Sequence, residues 1–527
     1  MNKIQILDCT LRDGGYINNF NFGKNIIENI ITQLENSNID IIECGFLKSG
    51  TYDEKFSLFN EVKAVKNVIK SKKNNIMYVV MIQYGKISAE EIEPNDGSSL
   101  DGIRVTFHIH EINDAFDLAK KLMVKGYKIF MQPVGTISYS VNELIELIKK
   151  VNELNPYAFY IVDTLGSMYQ KDVKHFFDII DYNLNNDIKV GFHAHNNLQQ
   201  AFSNALSLMQ VASERELIID STVLGLGRGA GNLCTELVLQ YINENIEKKY
   251  EMIHILDIID QYISPMRAKY RWGYSAPYYL AATKQCHPNY ATFLMNKQNL
   301  CAQDINNILN SIKPKKRHLY NEDYISDIYI AYKSRKIDDA EAVIGLEKEI
   351  DNKTVMLVAP GKSISDITKK QWDKYKKKYY VISINFIPKK FECDRTFYSN
   401  EKRFLSDEQE VKGKKLIVTS NVDSAKNIDD TYVVNYDSYL EENNEISDNA
   451  GIMCINLIKK IGVKELKLVG FDGFELDQTH NYLSDTLYID LDNERINNMN
   501  KALSKYFKEC QKNVSLEFVT ETIYTNF

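Results

Sequence analysis

The stretch Ile4–Tyr16, IQILDCTLRDGGY, decides how the rest of the chain is interpreted. Its apolar start predicts a buried β-strand, and Gly14-Gly15 predicts a sharp turn after it. Arg12 and Asp13 place a guanidinium and a carboxylate at the carboxyl end of this first strand. Such a pair indicates either the floor of an active site or a surface turn with a local ion pair. A second stretch far downstream, Val190–Asn197 (VGFHAHNN), favours the active site.

Apolar strand-like runs alternate with amphipathic helical patterns from the start of the chain to about residue 223. They recur about every 25–40 residues, which is the length of a strand and its return helix. The eight runs are Lys3–Asp8, Ile39–Cys44, Ile76–Ile82, Ile103–Phe107, Lys128–Gln132, Phe159–Asp163, Lys189–His195 and Ile218–Val223. Eight such units predict a (β/α)8 TIM barrel, because an open doubly wound sheet would usually show an early glycine-rich phosphate turn.

Composition narrows the functional class. The 527 residues suffice for two or three domains, and 44% hydrophobic with 26% charged residues predicts packed cores. A net charge of -7 argues against a nucleic-acid partner. No run of about 18 apolar residues occurs, so we expect no membrane span. The start, MNKIQILDC, lacks a signal-peptide pattern, and the eight cysteines form no C-x-x-C pair, which predicts a reduced cytoplasmic protein.

The pattern of predicted strands and helices changes twice along the chain. Residues 1–245 carry the barrel pattern, and residues 246–345 are helical and rich in aromatic residues, as a helical extension near the barrel mouth would be. Residues 350–527 return to an α/β pattern that predicts a separate Rossmann-like domain. Its predicted strands are Thr354–Ala359, Tyr380–Phe386, Leu416–Thr419, Tyr432–Asn435, Glu465–Val469 and Leu516–Val519.

Two histidines at the end of strand seven predict a metal site. His193 and His195 are two positions apart, and residues i and i+2 of a strand share a face. Together with Asp13 they offer two imidazoles and one carboxylate to a divalent cation, with positions left open for a substrate. The structural alternative is cross-strand packing of the two rings. Asn232, after the glycine-rich turn of strand eight, is a further ligand, an outer-shell group or a helix N-cap.

Three motifs carry a resemblance to a known superfamily. TLRDGG near the start, GFHAHNN on strand seven and GLGRGAGN on strand eight resemble the pyruvate metallolyases, the HMG-CoA lyase-like superfamily. The stretch WGYSAPYYLAA followed by CHPNYA resembles the helical extension of the 4-hydroxy-2-oxovalerate aldolase branch, which extends the likeness to about residue 340. It does not resemble the regulatory domain of the acyl-CoA synthases.

The resemblance implies a mechanism. A divalent metal, Mn²⁺ in the first place or Mg²⁺, Co²⁺ or Zn²⁺, would be held by Asp13, His193 and His195 and would chelate a 2-oxo acid. Arg12 would stabilise the developing enolate oxygen. The implied partners are a 2-oxo acid and an aldehyde, and the implied class is a carbon–carbon lyase (EC 4.1.3.-). A homo-oligomer is also expected.

The residue after the RDG turn departs from the family. Aldolases of this branch typically place a histidine there as the base for the substrate hydroxyl, and this chain has Tyr16. A phenol, with an ordinary pKa of about 10, is a poorer base at neutral pH. The base is therefore Tyr16, His108 or a metal-bound water, or else the substrate differs. Glu43 either contributes to catalysis or forms a salt bridge with Arg12 or Arg104.

The carboxyl-terminal region has a looser resemblance. Pro360-Gly-Lys-Ser363 lacks the P-loop spacing, which excludes ATP hydrolysis. VAPGKSISD, ISINF and AGIMCINLIKKIGVKELKLVGFDGF resemble small Rossmann-like bacterial sialyltransferases and related domains of surface-polysaccharide gene clusters. That likeness implies a nucleotide or nucleotide-sugar site formed by Gly361, Ser363, Asn385 and Gly451. His480 is a candidate base, although a lone loop histidine is more often solvated.

The leading hypothesis is thus an aldolase or lyase fused to a nucleotide-sugar-binding, glycosyltransferase-like domain of surface-glycan assembly. The first alternative is a Claisen-type acyltransferase that uses acetyl-CoA, because the same barrel motifs serve both reactions. The second is a non-catalytic barrel that acts as a scaffold for a glycan-binding domain.

Overall fold

The computed structural model describes residues 3–297, 299–443, 445–476, 481–483 and 493–524, so His480 lies outside the described residues. The chain divides into two compact units. The first comprises Met1–Thr292 and Lys313–Tyr320, and the second comprises Phe293–Ile312 and Asn321–Phe527. The predicted helical extension, residues 246–345, is therefore divided between the two units.

The first unit contains a closed parallel barrel. Its strands are β1 (Ile4–Asp8), β2 (Ile41–Leu47), β3 (Leu58–Phe59), β4 (Met77–Gln83), β5 (Gly102–Phe107), β6 (Lys128–Pro133), β7 (Ala158–Asp163), β8 (Lys189–Ala194) and β9 (Leu217–Ser221). β1 pairs with β9 on one side and β2 on the other, which closes a ring of eight strands, and the short β3 pairs with β2 outside it. The predicted TIM barrel is confirmed.

Helices return the chain between the barrel strands. They are α1 (Lys24–Asn36), α2 (Val62–Lys66), α3 (Ile112–Val124), α4 (Val141–Leu154), α5 (Gln170–Asn183), α6 (Ala201–Met209) and α7 (Thr235–Asn245). The sequence of α4 shows why they form. Ser140 accepts a hydrogen bond from the Glu143 backbone N–H in a capping box, and Leu144, Leu147 and Val151 are buried at helical spacing.

The chain continues as a series of helices: α8 (Met252–Ile258), α9 (Ser264–Lys269), α10 (Ala276–Thr283), α11 (Pro288–Asn296), α12 (Ala302–Ser311), α13 (Glu322–Lys333) and α14 (Ala340–Ile350). The loop between α9 and α10 lies on the glycine-rich loop that follows β9. Trp272 Nε1 donates to the Leu224 carbonyl at 3.2 Å, and the Gly273 N–H donates to the Gly229 carbonyl at 3.2 Å.

The second unit is built on another parallel sheet. Its strands are β10 (Val355–Val358), β11 (Tyr380–Ile384), β12 (Arg395–Tyr398), β13 (Leu416–Thr419), β14 (Thr431–Val434), β15 (Glu465–Val469) and β16 (Ser515–Phe518), in the order β14-β13-β12-β11-β10-β15-β16. Its later helices are α15 (Lys369–Lys378), α16 (Glu401–Ser406), α17 (Ala450–Lys460) and α18 (Asn493–Cys510). A second parallel α/β domain is therefore present. Across the described residues, no helix has the length and apolarity that crossing a membrane requires.

Candidate active site

Asp13, His193 and His195 meet at the mouth of the barrel. His193 Nε2 lies 2.9 Å from Asp13 Oδ2, and His195 Nε2 lies 3.7 Å from the same oxygen. All three residues are buried. Asp13 comes from the turn after β1 and the histidines from the end of β8, so parallel strand ends bring together residues that are 180 positions apart in sequence (193 against 13).

The other nitrogen of each imidazole has its own partner. His193 Nδ1 lies 2.9 Å from Asp220 Oδ2, and His195 Nδ1 lies 3.0 Å from the Asp163 carbonyl oxygen. Because each acceptor can take the Nδ1 proton of its ring, Nε2 is the nitrogen that each ring presents to Asp13. This arrangement is typical of histidines that bind a metal through Nε2.

The Asp13 carboxylate fits a cation. Burial alone would raise the pKa of Asp13, but Arg12 and the two histidines outweigh burial and hold that pKa well below its ordinary value. Within the described residues, neither carboxylate oxygen has a hydrogen-bond partner of acceptable geometry. Arg12 Nη1 lies 3.0 Å from Asp13 Oδ2 and compensates part of its charge. A buried carboxylate without hydrogen bonds still carries a desolvation cost, which a divalent cation between it and two imidazoles would offset.

Cys9 lies beside this cluster, although no sequence motif had pointed to it. Its sulfur is grouped with ligand atoms of Asp13 and His193 within 4.8 Å of one another. Cys9 Sγ donates to the Ser221 carbonyl at 3.3 Å. Burial raises the pKa of the Cys9 thiol well above its ordinary value, and a thiol must lose its proton to bind a metal. In the absence of a cation, Cys9 is therefore a thiol with a backbone partner, and it is a less direct candidate ligand than the two histidines.

Asn232 lies at the edge of the same cluster. Its backbone forms an antiparallel bridge with His195, and its Nδ2 donates to the Leu226 carbonyl at 3.1 Å. Its Oδ1 is buried and has no partner among the described residues. The N-cap of α7 is Cys234, so the structure does not place Asn232 in that role. Asn232 Oδ1 is available as a further ligand.

An ion-pair network lies under the cluster. Glu43 Oε2 accepts from Arg12 Nε at 2.8 Å and from Arg104 Nη1 at 2.7 Å. Arg104 also pairs with Asp220, the residue that holds His193. The salt bridge considered for Glu43 is thus present with both arginines, and a catalytic role for Glu43 stays a prediction. Asp220 was not predicted from the sequence.

Gly14 and Gly15 are required by space. They begin a 3₁₀ helix, Gly14–Ile17, directly after the turn that follows β1, and neither has a positive φ, so the turn does not depend on a left-handed backbone. A Cβ on Gly14 would lie 2.4 Å from Leu226 Cδ2, and one on Gly15 would lie 2.3 Å from Phe20 Cδ1. Gly14 lets the loop after β9 approach the turn that carries Asp13, and Gly15 makes room for the Phe20 ring.

The family model described as HMGL-like matches residues 3–261. This region of the chain is therefore similar to the HMGL-like family. Over 274 residues the chain is 28% identical to the 4-hydroxy-2-oxovalerate aldolase of Carboxydothermus hydrogenoformans, covering 50% of this chain and 78% of that enzyme. It is 25% identical to an oxaloacetate decarboxylase of Mycobacterium tuberculosis over 245 residues, 44% of this chain and 68% of that enzyme.

A solved structure covers the same region. The amino-terminal domain of a candidate aldolase of Bacteroides vulgatus is 26% identical, with a TM-score of 0.48, and the match covers 55% of this chain and 96% of that domain.

Tyr16 and His108, the two side chains predicted as bases, lie in different surroundings. Arg228 Cζ lies 3.9 Å from the centroid of the half-buried Tyr16 ring. The His108 ring stacks on His110 with centroids 5.7 Å apart, and burial lowers the pKa of His108. Neither arrangement decides between the two, so the identity of the base stays a prediction.

His287 belongs to the same region, although sequence reasoning noted it only as part of the HPNY stretch. Burial lowers the pKa of His287 to about 3, with further lowering from Arg228, His195 and His108. The Asn289 backbone N–H donates to His287 Nδ1 at 3.2 Å, which leaves the ring neutral with its proton on Nε2. His287 therefore offers the mouth a neutral hydrogen-bond donor.

The second unit has a crevice at the carboxyl ends of β10, β11 and β15, beside the start of α17. Its cavity of about 220 Å³ is lined by Gly361, Asn385 and Gly451, three of the four residues predicted to bind a nucleotide. Ser363 has another partner, because its N–H donates to Asp472 Oδ2 at 2.8 Å and its hydroxyl donates to Asp472 Oδ1. The backbone N–H and the hydroxyl of Ser363 thus face the Asp472 carboxylate, and a role of Ser363 in nucleotide binding stays a prediction.

Proposed function

We propose that the barrel is a divalent-metal-dependent aldolase that makes or breaks a carbon–carbon bond between a pyruvate-type 2-oxo acid and an aldehyde. The observation that supports this most is the buried Asp13 carboxylate, ionised and without a hydrogen-bond partner among the described residues, facing two imidazole nitrogens. The 4-hydroxy-2-oxovalerate aldolase relatives indicate the 4-hydroxy-2-oxo acids as the substrate class.

Each residue then has a separate task. Asp13, His193 and His195 would hold the cation, Mn²⁺ in the first place, and Asn232 would add an oxygen ligand. When bound, the cation supplies Lewis-acid polarisation of the oxygens of a 2-oxo acid. Arg12, fixed by Glu43 at 2.8 Å, would stabilise the negative charge that develops on the substrate oxygen.

The proton of the substrate hydroxyl needs an acceptor in the bond-breaking direction. Tyr16 and His108 are the side chains proposed for it. Glu43 is less suited, because its Oε2 already accepts hydrogen bonds from both Arg12 and Arg104. His287 would orient an oxygen of the substrate as a neutral donor.

The deciding experiment is release of pyruvate from 4-hydroxy-2-oxovalerate by the full chain with Mn²⁺, followed with lactate dehydrogenase. We expect turnover that stops with a chelator. Oxaloacetate is a second substrate to offer, in view of the oxaloacetate decarboxylase relative. Release of free thiol from acetyl-CoA, in place of pyruvate release, would favour the acyltransferase. Failure to retain any metal would favour a non-catalytic scaffold.

A second proposal concerns the crevice of the second unit, which would bind a nucleotide or nucleotide-sugar. β10 has β11 on one side and β15 on the other, so the crevice lies at the point where the strand order reverses, which is where open parallel sheets bind ligands. Lys297, Arg403 and Arg495 line it and suit a phosphate. A role in surface-glycan assembly, a cytoplasmic location and a homo-oligomeric state stay predictions.

Calorimetry with CMP tests the crevice. We expect saturable binding that Arg403→Gln weakens by about tenfold, because a charge-assisted hydrogen bond to phosphate is lost. Arg335→Gln is the matched control, since Arg335 lies outside the crevice in the same unit and pairs with Asp423. Equal affinity in both variants, or no binding of CMP to the unaltered chain, would contradict the proposal.

A further inference from the structure

We infer that Arg228 binds a second anionic group of the substrate, so that the aldehyde partner of the reaction carries a carboxylate or a phosphate. This inference rests on the proposed aldolase function and adds the chemical class of the aldehyde. The inference is drawn from the position of one guanidinium group, that of Arg228.

Arg228 lies at the mouth of the barrel, close to the candidate metal ligands. It belongs to the glycine-rich loop after β9, and its guanidinium stacks at 3.9 Å on Tyr16, three residues after Asp13. Its positive charge also acts on His195 and His287, which belong to other parts of the chain. After burial, Arg228 contributes to the lowered pKa of both His195 and His287.

Arg228 differs from the other two arginines of the mouth in having no carboxylate partner. Arg12 pairs with Asp13 at 3.0 Å and with Glu43 at 2.8 Å. Arg104 pairs with Glu43 at 2.7 Å and with Asp220. For Arg228, no carboxylate of the described residues lies within the 4.0 Å of an ion pair.

The stacked geometry leaves the guanidinium able to bind an anion. Stacking on Tyr16 uses the face of the planar group, and its N–H donors lie along the edge. A half-buried cation that lacks a counter-charge favours a bound anion, and two parallel N–H donors match the two oxygens of a carboxylate or phosphate.

The substrate then has two ends that are recognised separately. The 2-oxo acid end lies at Asp13, His193 and His195, as proposed above. The end contributed by the aldehyde extends towards the loop after β9, where Arg228 lies. A neutral aldehyde would leave that guanidinium without a partner, whereas an acidic one would pair with it.

The test compares aldehydes that differ in charge in Mn²⁺-dependent condensation with pyruvate. The first pair is succinic semialdehyde and butanal, and the second is glyceraldehyde 3-phosphate and glyceraldehyde. We expect kcat/KM to favour the anionic member of one pair by about 10- to 100-fold. Preference confined to the first pair identifies a carboxylate, and preference confined to the second identifies a phosphate.

Variants assign that preference to Arg228. Arg228→Gln should reduce the anionic-to-neutral ratio to near one, and Arg228→Lys should restore part of it, because lysine keeps the charge without the planar fork. Arg267→Gln is the matched control, an exposed guanidinium near an aromatic ring, Trp272, at 5.8 Å, and it should keep the ratio of the unaltered chain. A ratio that Arg228→Gln leaves unchanged would overturn the inference.

A binding measurement separates this inference from the proposed function. Calorimetry with the Mn²⁺-loaded chain compares 2-oxoglutarate with 2-oxopentanoate, which lacks the second carboxylate. Tighter binding of 2-oxoglutarate that is lost in a folded Arg228→Gln protein supports anion recognition by a carboxylate even if no condensation occurs, in which case the aldolase proposal alone fails. Equal affinities together with equal rates in both aldehyde pairs refute the role of Arg228.

Discussion

Replacing Asp13 with alanine will remove tight Mn²⁺ binding and lower the release of pyruvate by more than about 1,000-fold, which corresponds to about 4 kcal/mol. The reason is that Asp13 is the one carboxylate that both Nε2 atoms face, at 2.9 Å from His193 and 3.7 Å from His195. His193→Ala should act in the same direction. Two neutral imidazoles without the carboxylate hold a divalent cation more weakly, because the charge attraction is lost.

The measurement is the amount of Mn²⁺ retained after dialysis, read by electron paramagnetic resonance, alongside the pyruvate assay. Asp13→Asn keeps the shape of the side chain and removes its charge, so it should lose metal as Asp13→Ala does. Asp178→Ala is the matched control, since Asp178 is an exposed carboxylate on α5. Unchanged metal content in the Asp13 variants would show that the cation site has been placed wrongly.

The barrel could be predicted from sequence because buried parallel strands consist of nearly continuous runs of apolar residues. Strand β2, for example, is buried at every position. The elements that were missed are short. β3 has two residues, and β12 (RTFY) begins with Arg395, a buried charge that is compensated by Glu349 and Asp430. A four-residue run that begins with a charged residue does not look like a buried strand. It becomes one only because Glu349 and Asp430, which are distant in sequence, compensate the charge of Arg395.

The candidate metal ligands could be predicted because they lie at the carboxyl ends of barrel strands. These ends meet at one face of any such barrel, whatever the packing of the side chains. Asp220, Arg228 and His287 could not, because their roles depend on which loops meet. Asp220 becomes a partner of His193 only because β9 lies beside β8, and it becomes a partner of Arg104 across the barrel interior. One signal was available: Asp220 is the single charged residue in the apolar strand LIIDS, and a buried charge needs a partner.

Removing the carboxylate of Asp220 should lower both the stability of the protein and its affinity for Mn²⁺. Asp220 pairs with Arg104, accepts from Tyr160 Oη at 3.1 Å and lies 2.9 Å from His193 Nδ1. Asp220→Asn leaves Arg104 with Glu43 as its one carboxylate, in a site where the side chain of Arg104 is fully buried. We expect the free energy of unfolding to fall by about 3 kcal/mol, since removing one member of a buried ion pair leaves a charge poorly compensated. Urea denaturation of the full chain measures this change in the free energy of unfolding, taken from the transition in which the barrel unfolds.

The same substitution should weaken Mn²⁺ binding by about 10- to 100-fold, because the tautomer and orientation of His193 are no longer fixed by a carboxylate. Glu54→Gln is the matched control for stability, since Glu54 forms an ion pair with Lys24 in which both side chains are exposed. Its cost should stay below about 1 kcal/mol, and its metal affinity should be unaltered. If Asp220→Asn instead loses stability without losing metal affinity, Asp220 serves the ion-pair network under the site and leaves the orientation of His193 to other contacts.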